Sequence, residues 1–353
     1  MVVLLQLTTV ENVLKVCFNS NMSDINSAYM VLRDAAKQRG LFEKMPGYYI
    51  AQTMSALGII SSGFLLLWLF SHIALQIGAI VILSIGMVQA ALIGHDIAHH
   101  QVFRSQRLYN IFGTFYWNFI LGVSFRYWNF KHNRHHAHPN HFGKDPDLGV
   151  PFIFSKTRST HVTEFFNVIT KYQKIYFFPI LPLSFFSVVG LSARFLMRQK
   201  MTATILAEWT LYILHYVTYF WLLGSFLSFE RIMILTLIHY MTTGMYLGMV
   251  FAPNHKGRPL FDENEITPYA YQQVVTSRNI RPHILTDFFY GGLNYQIEHH
   301  LFPTMARPNL RRARALVRTF CNEEKIPYQE TSFLGSFRQI YQNFVTNPKT
   351  SDI

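Results

Sequence analysis

The chain has 353 residues, half of them hydrophobic and 14% charged, with a formal net charge of +12. A typical soluble domain carries about 25% charged residues, so this deficit indicates contact with lipid. The positive charge would suit nucleic acid, anionic headgroups or an acidic partner. No zinc finger, RNA-recognition motif or continuous basic helix accompanies it, which argues against nucleic acid. Cys17 and Cys321 lie far apart, which argues against a disulfide framework or thiolate metal sites.

The N-terminal residues 1–50 have the composition of a cytosolic leader, and no cleavable signal peptide is evident. Asp24 can cap an amphipathic helix that continues to about Arg39, and Gly40 is expected to end it. The helix precedes the first apolar segment and is not itself long or apolar enough to cross a bilayer.

Four apolar segments, at 51–71, 73–94, 203–227 and 232–252, are each long enough to span a bilayer. They predict two hairpins of transmembrane helices within a membrane domain at 51–325, followed by a tail at 326–353. Two further apolar segments are not expected to span the bilayer. Residues 109–127 are aromatic and amphipathic and look interfacial. Residues 176–197 contain Pro179 and Pro182 and look interfacial or re-entrant.

Charge predicts the orientation of these helices. Lys and Arg are frequent at 95–175 and from residue 254 onward, and scarce at the two hairpin tips. The positive-inside rule therefore places both rich stretches on the cytoplasmic face. Four spans put them on the same side of the membrane, whereas an additional span at 176–197 would separate them.

Histidines form three clusters at the predicted cytoplasmic ends: HDIAHH at 95–100, HNRHH at 132–136 and QIEHH at 296–300. Histidines three or four residues apart share one face of a helix, so each cluster can grip a metal. Imidazole suits iron, zinc and copper. His255, where the fourth span ends, could supply the ligand that Gln296 leaves missing in the third cluster. The predicted metal ligands are His95, His99, His132, His135, His136, His255, His299 and His300.

Eight histidines exceed the capacity of a single ion, which takes four to six ligands, and so predict two metal ions. Asp96 is expected to hydrogen-bond a histidine ring and fix its tautomer, with a cap at the helix end as the alternative role. Gln296 could be a weak ligand or a hydrogen-bond partner, and Asn254 and Glu298 could lie near the metals or at the surface. His100 could replace His99 if the helix is distorted, but a spacing of four residues suits a regular helix.

The remaining histidines favour ordinary roles. Three lie in apolar segments and are expected to be core residues: His72, His215 and His239. Four others are expected at the surface or beside the metal site: His138, His141, His161 and His283.

The three clusters resemble the histidine boxes of the membrane fatty acid desaturase superfamily. The chain presents them as HDxxH, HxxHH and QxxHH, and the last form is typical of front-end desaturases. These enzymes insert a double bond between an existing one and the carboxyl end. Asp145-Pro146-Asp147 and the Gly291–Tyr295 run before Gln296 also match. The resemblance extends over residues 30–325.

This resemblance implies an all-α integral membrane protein with a cytosolic helical cap that holds two non-haem iron ions. It implies oxygen-dependent insertion of a cis double bond into a fatty acyl chain carried as phospholipid, acyl-CoA or acyl carrier. Because the haem motif HPGG of a fused cytochrome b5 domain is missing, electrons are expected from a separate ferredoxin or cytochrome b5 with its reductase. Arg311, Arg312, Arg314 and Arg318 could dock such a carrier or face solvent and lipid headgroups.

The missing domain also favours a bacterial inner membrane, with the endoplasmic reticulum as the eukaryotic alternative. An acyl or lipid hydroxylase or ketolase on the same scaffold is the first alternative function. A metal transporter is a remote one, because its ligands should lie at mid-bilayer depth and not at the helix ends.

Overall fold

The computed structural model describes residues 22–149 and 172–346, which are predominantly helical. The α-helices in chain order are α1 Met22–Gln38, α2 Pro46–Leu69, α3 Ile73–Ala98, α4 Gln106–Thr114, α5 Phe125–Ala137, α6 Gln173–Ile180, α7 Ser184–Met197, α8 Ala203–Gly224, α9 Phe229–His255, α10 Tyr269–Val275, α11 Ile284–Tyr290, α12 Gln296–Leu301, α13 Arg307–Glu323 and α14 Phe333–Thr346. A π-helical turn at Phe115–Ile120 and 3₁₀ turns at Pro146–Gly149 and Leu181–Leu183 join them. Strands β1 Asn279–Ile280 and β2 Glu330–Thr331 pair in parallel.

Helices α2 and α3 form the first hairpin and pack closely along small residues. A Cβ atom on Gly63 would lie 2.8 Å from Leu83 Cβ, and one on Gly86 would lie equally close to Ile60. Glycine at both positions therefore lets the two backbones approach. Helix α3 is buried over most of its length, which makes it the central helix of the bundle.

Helices α8 and α9 form the second hairpin, and its tip meets the tip of the first. The Arg231 guanidinium donates hydrogen bonds to the Ser71 carbonyl and to Gln76 Oε1. The opposite ends of α3 and α9 carry His95 and His255. The bundle therefore has one end formed by the hairpin tips and another end that carries histidines.

Four helical segments in the described ranges are long and apolar enough to cross a membrane. They are Pro46–Leu69, Ile73–Ala98, Gln173–Met197 and Phe229–His255. The first, second and fourth fall on predicted spans. The third falls on 176–197, which we expected to be interfacial or re-entrant. Helix α8, on the predicted span 203–227, is not among them because Glu208, His215 and its many aromatic residues lower its mean hydropathy.

The contacts of the segment Gln173–Met197 distinguish it from the other three. Near its start, Phe177 packs on Phe344 of α14 with ring centroids 5.1 Å apart. Near its end, Phe195 packs on Tyr127 of α5, at 5.9 Å. Both α5 and α14 lie at the histidine-bearing end. The segment thus begins and ends at that end, and its middle packs against Gly244 of α9.

The remaining elements cover the histidine-bearing end. Helix α1 packs through Ile25 and Leu32 onto a core shared with α10, α12 and α13. As predicted, α1 ends near Arg39, and Gly40 adopts a φ of +68°. The single interfacial helix expected at 109–127 is wrong in detail, because the chain turns at Gly122, with φ +63°, between the π-helical turn and α5.

Candidate metal centre

Four chain segments converge on one buried region at the histidine-bearing end of the bundle. Helix α3 ends there, α5 crosses it, α9 ends beside it, and the short α12 closes it. Every one of the eight predicted ligand histidines is brought into this region, where they form two groups.

The first group contains five buried histidines from α3, α5 and α12, and is called the five-histidine group. Its members are His95, His99, His132, His136 and His299. One nitrogen from each lies within 4.8 Å of the others. The Nε2 atoms of His136 and His299 are 3.2 Å apart. That separation fits two nitrogens sharing an ion at about 2.0–2.1 Å each.

The second group contains three histidines from α5, α9 and α12, and is called the three-histidine group. Its members are His135, His255 and His300. The Nε2 atoms of His135 and His255 lie 3.3 Å apart. The two groups adjoin, since the His136 and His300 rings stack with centroids 4.3 Å apart.

Hydrogen bonds to Nδ1 set the tautomers of the three-histidine group. His135 donates from Nδ1 to Asp145 at 3.0 Å, His255 to the Thr276 carbonyl at 3.0 Å, and His300 to Gln273 Oε1 at 2.8 Å. With the proton on Nδ1, each Nε2 presents a lone pair, which is the arrangement that metal-binding histidines use. In the five-histidine group, His95 donates in the same way to Asp96, at 3.1 Å.

Burial keeps most of these rings neutral. It lowers the pKa of His99, His132, His136, His299 and His300 well below 6.5, and neighbouring histidines lower it further. His135 differs. Burial lowers its pKa too, but the nearby carboxylates of Asp145 and Asp147 have a larger effect. The pKa of His135 is therefore raised above 6.5. Neutral imidazole is the form that binds a metal.

Gln296 lies beside the three-histidine group, held in one orientation by Asn254. The Asn254 amide donates to the Leu293 carbonyl at 3.1 Å and to Gln296 Oε1 at 2.9 Å. The Gln296 amide nitrogen is thereby turned toward His255 Nε2, at 2.9 Å. Of the two roles left open for Gln296, this contact matches the hydrogen-bond partner, and Asn254 positions it.

Asp96 does more than contact His95. Its second carboxylate oxygen accepts a hydrogen bond from Nε of the buried Arg307 side chain at 2.8 Å and forms an ion pair with Nη2 of the same guanidinium at 2.7 Å. His100 lies outside both groups. It is exposed, has a φ of +55°, and stacks on Tyr109 at 3.9 Å, so His99 occupies the place for which His100 was the alternative. Glu298 faces Asn279 and Tyr328.

Histidines expected to have ordinary roles stay outside both groups. His72 and His283 cap the N-termini of α3 and α11. His215 Nδ1 donates to the Phe119 carbonyl at 2.7 Å, and His239 Nδ1 lies 3.0 Å from the Tyr219 hydroxyl. His141 is buried and hydrogen-bonded to the Glu265 carbonyl, whereas His138 is exposed. His161 lies outside the described residues.

Sequence reasoning missed several supporting residues. Arg307, Gln273 and Thr276 are far from the clusters in sequence and carry no local signal. Asp145 was noted only as part of a matching run. Its role follows from a tight turn after α5, where its carboxylate also accepts a hydrogen bond from the Asn140 backbone at 2.7 Å.

A cavity of about 280 Å³ leads from the histidines into the bundle. At its histidine end it is lined by His95, His132, His135, His255 and Gln296. Apolar side chains of α3, α7 and α9 line its middle, among them Leu92, Val188 and Leu247. Its far end is formed by His215, Tyr219, His239, Tyr240 and Thr243. The shape suits a long, thin, apolar ligand.

The basic helix α13 is partly neutralised. Arg314 pairs with Glu330 through contacts of 2.6–3.0 Å, and Arg318 reaches the same carboxylate at 3.1 Å. Arg311 lies 3.6 Å from Asp287. Of the four arginines expected to form a docking surface, two are therefore shared with one acidic side chain.

The histidine groups fit metal ions on chemical grounds. Several buried ring nitrogens have no hydrogen-bond partner among the described residues. They include Nε2 of His95, His99, His132 and His300. A buried unpaired nitrogen costs about 1–3 kcal/mol, so this many in one place calls for a shared partner. Neutral imidazoles with few carboxylates suit a transition metal better than calcium or magnesium.

These features define a helical membrane protein with buried histidine groups, suited to metal ions, at one end of an apolar cavity. Comparisons with known proteins give the family. A family model described as "Fatty acid desaturase" matches residues 66–332. The chain therefore belongs to the fatty acid desaturase family and is an oxidoreductase, as the histidine boxes predicted.

Individual relatives agree with the family model. The chain is 31% identical to "Fatty acid desaturase 3" of Bos taurus, over 89% of this chain and 71% of that protein. It is 30% identical to the "Acyl-lipid (9-3)-desaturase" of Physcomitrium patens, over 83% and 57%. It is 28% identical to the "Delta(6)-fatty-acid desaturase fat-3" of Caenorhabditis elegans, over 87% and 71%.

Proposed function

We propose that this enzyme inserts a cis double bond into a fatty acyl chain, using oxygen at a centre of two iron ions held by the two histidine groups. The observation that carries the proposal is the junction of the two groups with the apolar cavity. His95, His132 and His255 belong to the groups and also line the cavity. A methylene segment in the cavity would therefore lie beside the metal-binding nitrogens.

The protein's own contribution is to hold ligands and substrate in place. Asp96, Asp145, Gln273 and the Thr276 carbonyl fix the ring orientations, so the metal-binding nitrogens are set before substrate arrives. The apolar walls exclude water and confine the acyl chain, so that one pair of neighbouring methylenes faces the centre. Iron bound there supplies the activation of oxygen.

The overall reaction must balance. Two hydrogen atoms leave adjacent methylenes, and the carbons form a double bond between them. Oxygen takes four electrons, two from the broken C–H bonds and two from a reductant, and with two protons from solvent it leaves as two molecules of water. The reductant is a separate electron-carrier protein such as a ferredoxin or cytochrome b5, which would dock on the cytoplasmic face.

The proposed membrane arrangement has four spans, α2, α3, α8 and α9. Although α8 falls short of the hydropathy of the other candidate spans, Glu208 near its start pairs with Arg126 of α5, and its other end reaches the tip that meets the first hairpin. The segment Gln173–Met197 would be re-entrant, because both of its ends contact elements of the histidine-bearing end. This arrangement puts both basic stretches on the cytoplasmic face, as the positive-inside rule requires.

The test is expression in a host that lacks polyunsaturated fatty acids, with a supplied acyl substrate and analysis of total fatty acids by gas chromatography and mass spectrometry. Wild-type protein should give a new double bond. The double variant His299→Ala, His300→Ala should give none, since it removes a ligand from each group.

The matched control is His100→Asn, which removes a neighbouring histidine outside both groups and tolerates the positive φ. It should retain the wild-type product. If hydroxylated or ketonic acyl chains form in place of the new double bond, the enzyme is a hydroxylase or ketolase and not a desaturase. If membranes contain the protein with two irons per chain and a supplied reductant but no product forms, an acyl chain is not its substrate.

A further inference from the structure

The proposed chemistry makes no use of Glu208, a buried carboxylate in the proposed transmembrane helix α8. Of the four apolar segments predicted to span the bilayer, only 203–227 contains an acidic residue, and that residue is Glu208. Its side chain is 3% exposed and belongs neither to the histidine groups nor to the cavity lining. Ionisable groups inside a membrane are costly and usually serve a function. The contacts of Glu208 indicate which function it serves.

Glu208 contacts the N-terminus of α5. Its Oε2 atom accepts a hydrogen bond from Ser124 Oγ at 2.7 Å, and its Oε1 atom forms an ion pair with Arg126 Nε at 2.8 Å. The Asn118 amide donates to the Glu208 backbone carbonyl at 3.1 Å. A negative charge is favourable at a helix N-terminus, because the N–H groups of the first turn make that end partly positive. Helix α8 is thus attached to the start of α5.

Neighbouring hydrogen bonds extend this attachment to the backbone of α5. The Tyr127 N–H donates to Ser124 Oγ at 3.2 Å. The Phe125 N–H donates to Asn118 Oδ1 at 3.0 Å. The Ser124 N–H donates to Ser192 Oγ of α7 at 2.6 Å. The first N–H groups of a helix have no partner within the helix, so these contacts set the start of α5 relative to α7, α8 and the π-helical turn.

Helix α5 carries predicted metal ligands of both histidine groups. His132 and His136 belong to the five-histidine group, and His135 belongs to the three-histidine group. They lie eight to twelve residues from Ser124, about 12–18 Å along the helix at 1.5 Å per residue. A tilt or shift at the start of α5 would therefore displace all three rings together.

Helix α7, which is joined to α5 through Ser192, forms part of the cavity wall. Val188 and Leu191 of α7 line the cavity. The two helices also pack through rings, as Phe195 does on Tyr127 with centroids 5.9 Å apart. Apolar packing has no preferred direction and permits sliding, whereas hydrogen bonds have narrow geometric limits. The placement of the metal-binding rings relative to the cavity wall therefore depends on the network around Glu208.

We propose that Glu208 is a positioning residue for desaturation. By holding the start of α5, it keeps both histidine groups in a fixed place along the cavity, so that one pair of neighbouring methylenes faces the metal ions. It acts through Ser124 and Arg126 and contacts neither the metal ligands nor the acyl chain. This inference rests on the proposed function, and it adds the residue that sets where the double bond forms.

The test compares the position of the new double bond in wild type and in Glu208→Gln. Glutamine keeps the size of the side chain but replaces one oxygen with an NH₂ group, so it cannot accept from both Ser124 and Arg126. Fatty acids of expressing cells are derivatised to mark double-bond positions and analysed by gas chromatography and mass spectrometry. The share of product with a displaced double bond should rise about tenfold, which is the effect of losing one hydrogen bond to a charged group.

Ser192→Ala is the second variant, since it removes only the acceptor that joins α5 to α7. Because that hydrogen bond is between neutral groups, the displaced share should rise about threefold. Glu230→Gln is the matched control, because it makes the same change at an exposed residue of the hairpin tip. Its products should equal those of wild type.

The release of iron to a chelator from purified protein gives a readout that does not depend on turnover. Helix α5 supplies histidines to both groups, so Glu208→Gln should release iron faster from both, at a temperature well below unfolding. A lower unfolding temperature with wild-type iron release and a wild-type double-bond position would make Glu208 a purely structural residue and overturn the inference.

The product analysis separates the inference from the proposed function. If wild type makes no desaturated product, the proposed function fails, and the inference fails with it. If wild type desaturates, and Glu208→Gln and Ser192→Ala both place the double bond as wild type does, the inference alone is overturned. If Glu208→Gln does not accumulate, Ser192→Ala decides by itself. A displaced double bond in Glu230→Gln would also overturn the inference, because the effect would not be specific to the start of α5.

Discussion

The five-histidine group and the three-histidine group look alike in sequence, because both draw on the same histidine boxes. They differ in how many histidines they offer to a metal ion. The first has five imidazoles, enough for one metal ion without further help. The second has three, with the Gln296 amide nitrogen turned toward it. The second group therefore depends on its supporting hydrogen bonds and on ligands from solvent or substrate, and its metal should be held less firmly.

The largest expected effect follows from removing a ligand of the smaller group. His300→Ala leaves two imidazoles there, so we expect the loss of one iron per chain and of all product. His132→Ala leaves four imidazoles in the larger group, so we expect it to keep more metal. Metal content by mass spectrometry of purified protein checks both. Equal metal loss in the two variants would contradict the difference between the groups.

The next effect concerns the support of a ligand. Asp145→Asn removes the carboxylate that holds His135 through Nδ1, so metal affinity of the three-histidine group should fall about 10–100-fold. Competition with a chelator measures this affinity. Asp262→Asn, an exposed acidic residue outside both groups, is the control and should match wild type. An unchanged chelator profile in Asp145→Asn would show that the carboxylate does not support the ligand.

A third effect concerns stability. Asp96→Asn would leave the Arg307 guanidinium buried with no carboxylate partner, since both side chains are almost fully buried. Breaking a buried pair in this way costs about 3–5 kcal/mol, so the thermal unfolding temperature should fall clearly. Double substitution of Asp96 and Arg307 by Leu and Met should recover part of the loss. If Asp96→Asn alone unfolds at the wild-type temperature, the ion pair does not stabilise the fold.

The smallest effect is a dependence on pH in the metal-free protein. Burial lowers the folded-state pKa of five of these histidines, so below about pH 6.5 the unfolded chain takes up protons that the folded chain does not. Stability should therefore fall as pH drops below about 6.5. His135, with a raised pKa, acts in the opposite direction but is outnumbered.

Thermal unfolding of metal-free protein in detergent between about pH 7.5 and 5.5 checks the sign. Metal-loaded protein is the control, since bound metal holds the rings unprotonated and should reduce the slope. A metal-free protein that becomes more stable on acidification would contradict the account.

The sequence predicted the histidines of the site better than their surroundings. Spacing within each box was sufficient to find seven of the eight histidines that the structure brings together, and His255 followed from its position where the predicted fourth span ends. Arg307 and Gln273 could not be found, because a partner contributed by a distant helix leaves no local pattern. The role of Gln296 depended on the amide orientation that Asn254 imposes, which spacing cannot reveal.

The prediction of the fold from the sequence has a similar limit. Helix lengths followed from hydropathy, but composition alone would count Gln173–Met197 as a span and pass over α8. The proposed re-entrant course of Gln173–Met197 depends instead on contacts, because Phe177 and Phe195 both pack on elements of the histidine-bearing end. Buried polar residues such as Glu208 and His215 lower hydropathy in a helix whose polar groups are satisfied inside the bundle.

The most direct test of the account is the iron content of purified wild-type protein, followed while a chelator removes it. Two unequal groups predict two irons per chain, released in two phases, with the faster phase missing in His300→Ala. A single iron per chain, or two irons released together in one phase, would contradict the division of the eight histidines into a strong and a weak metal site.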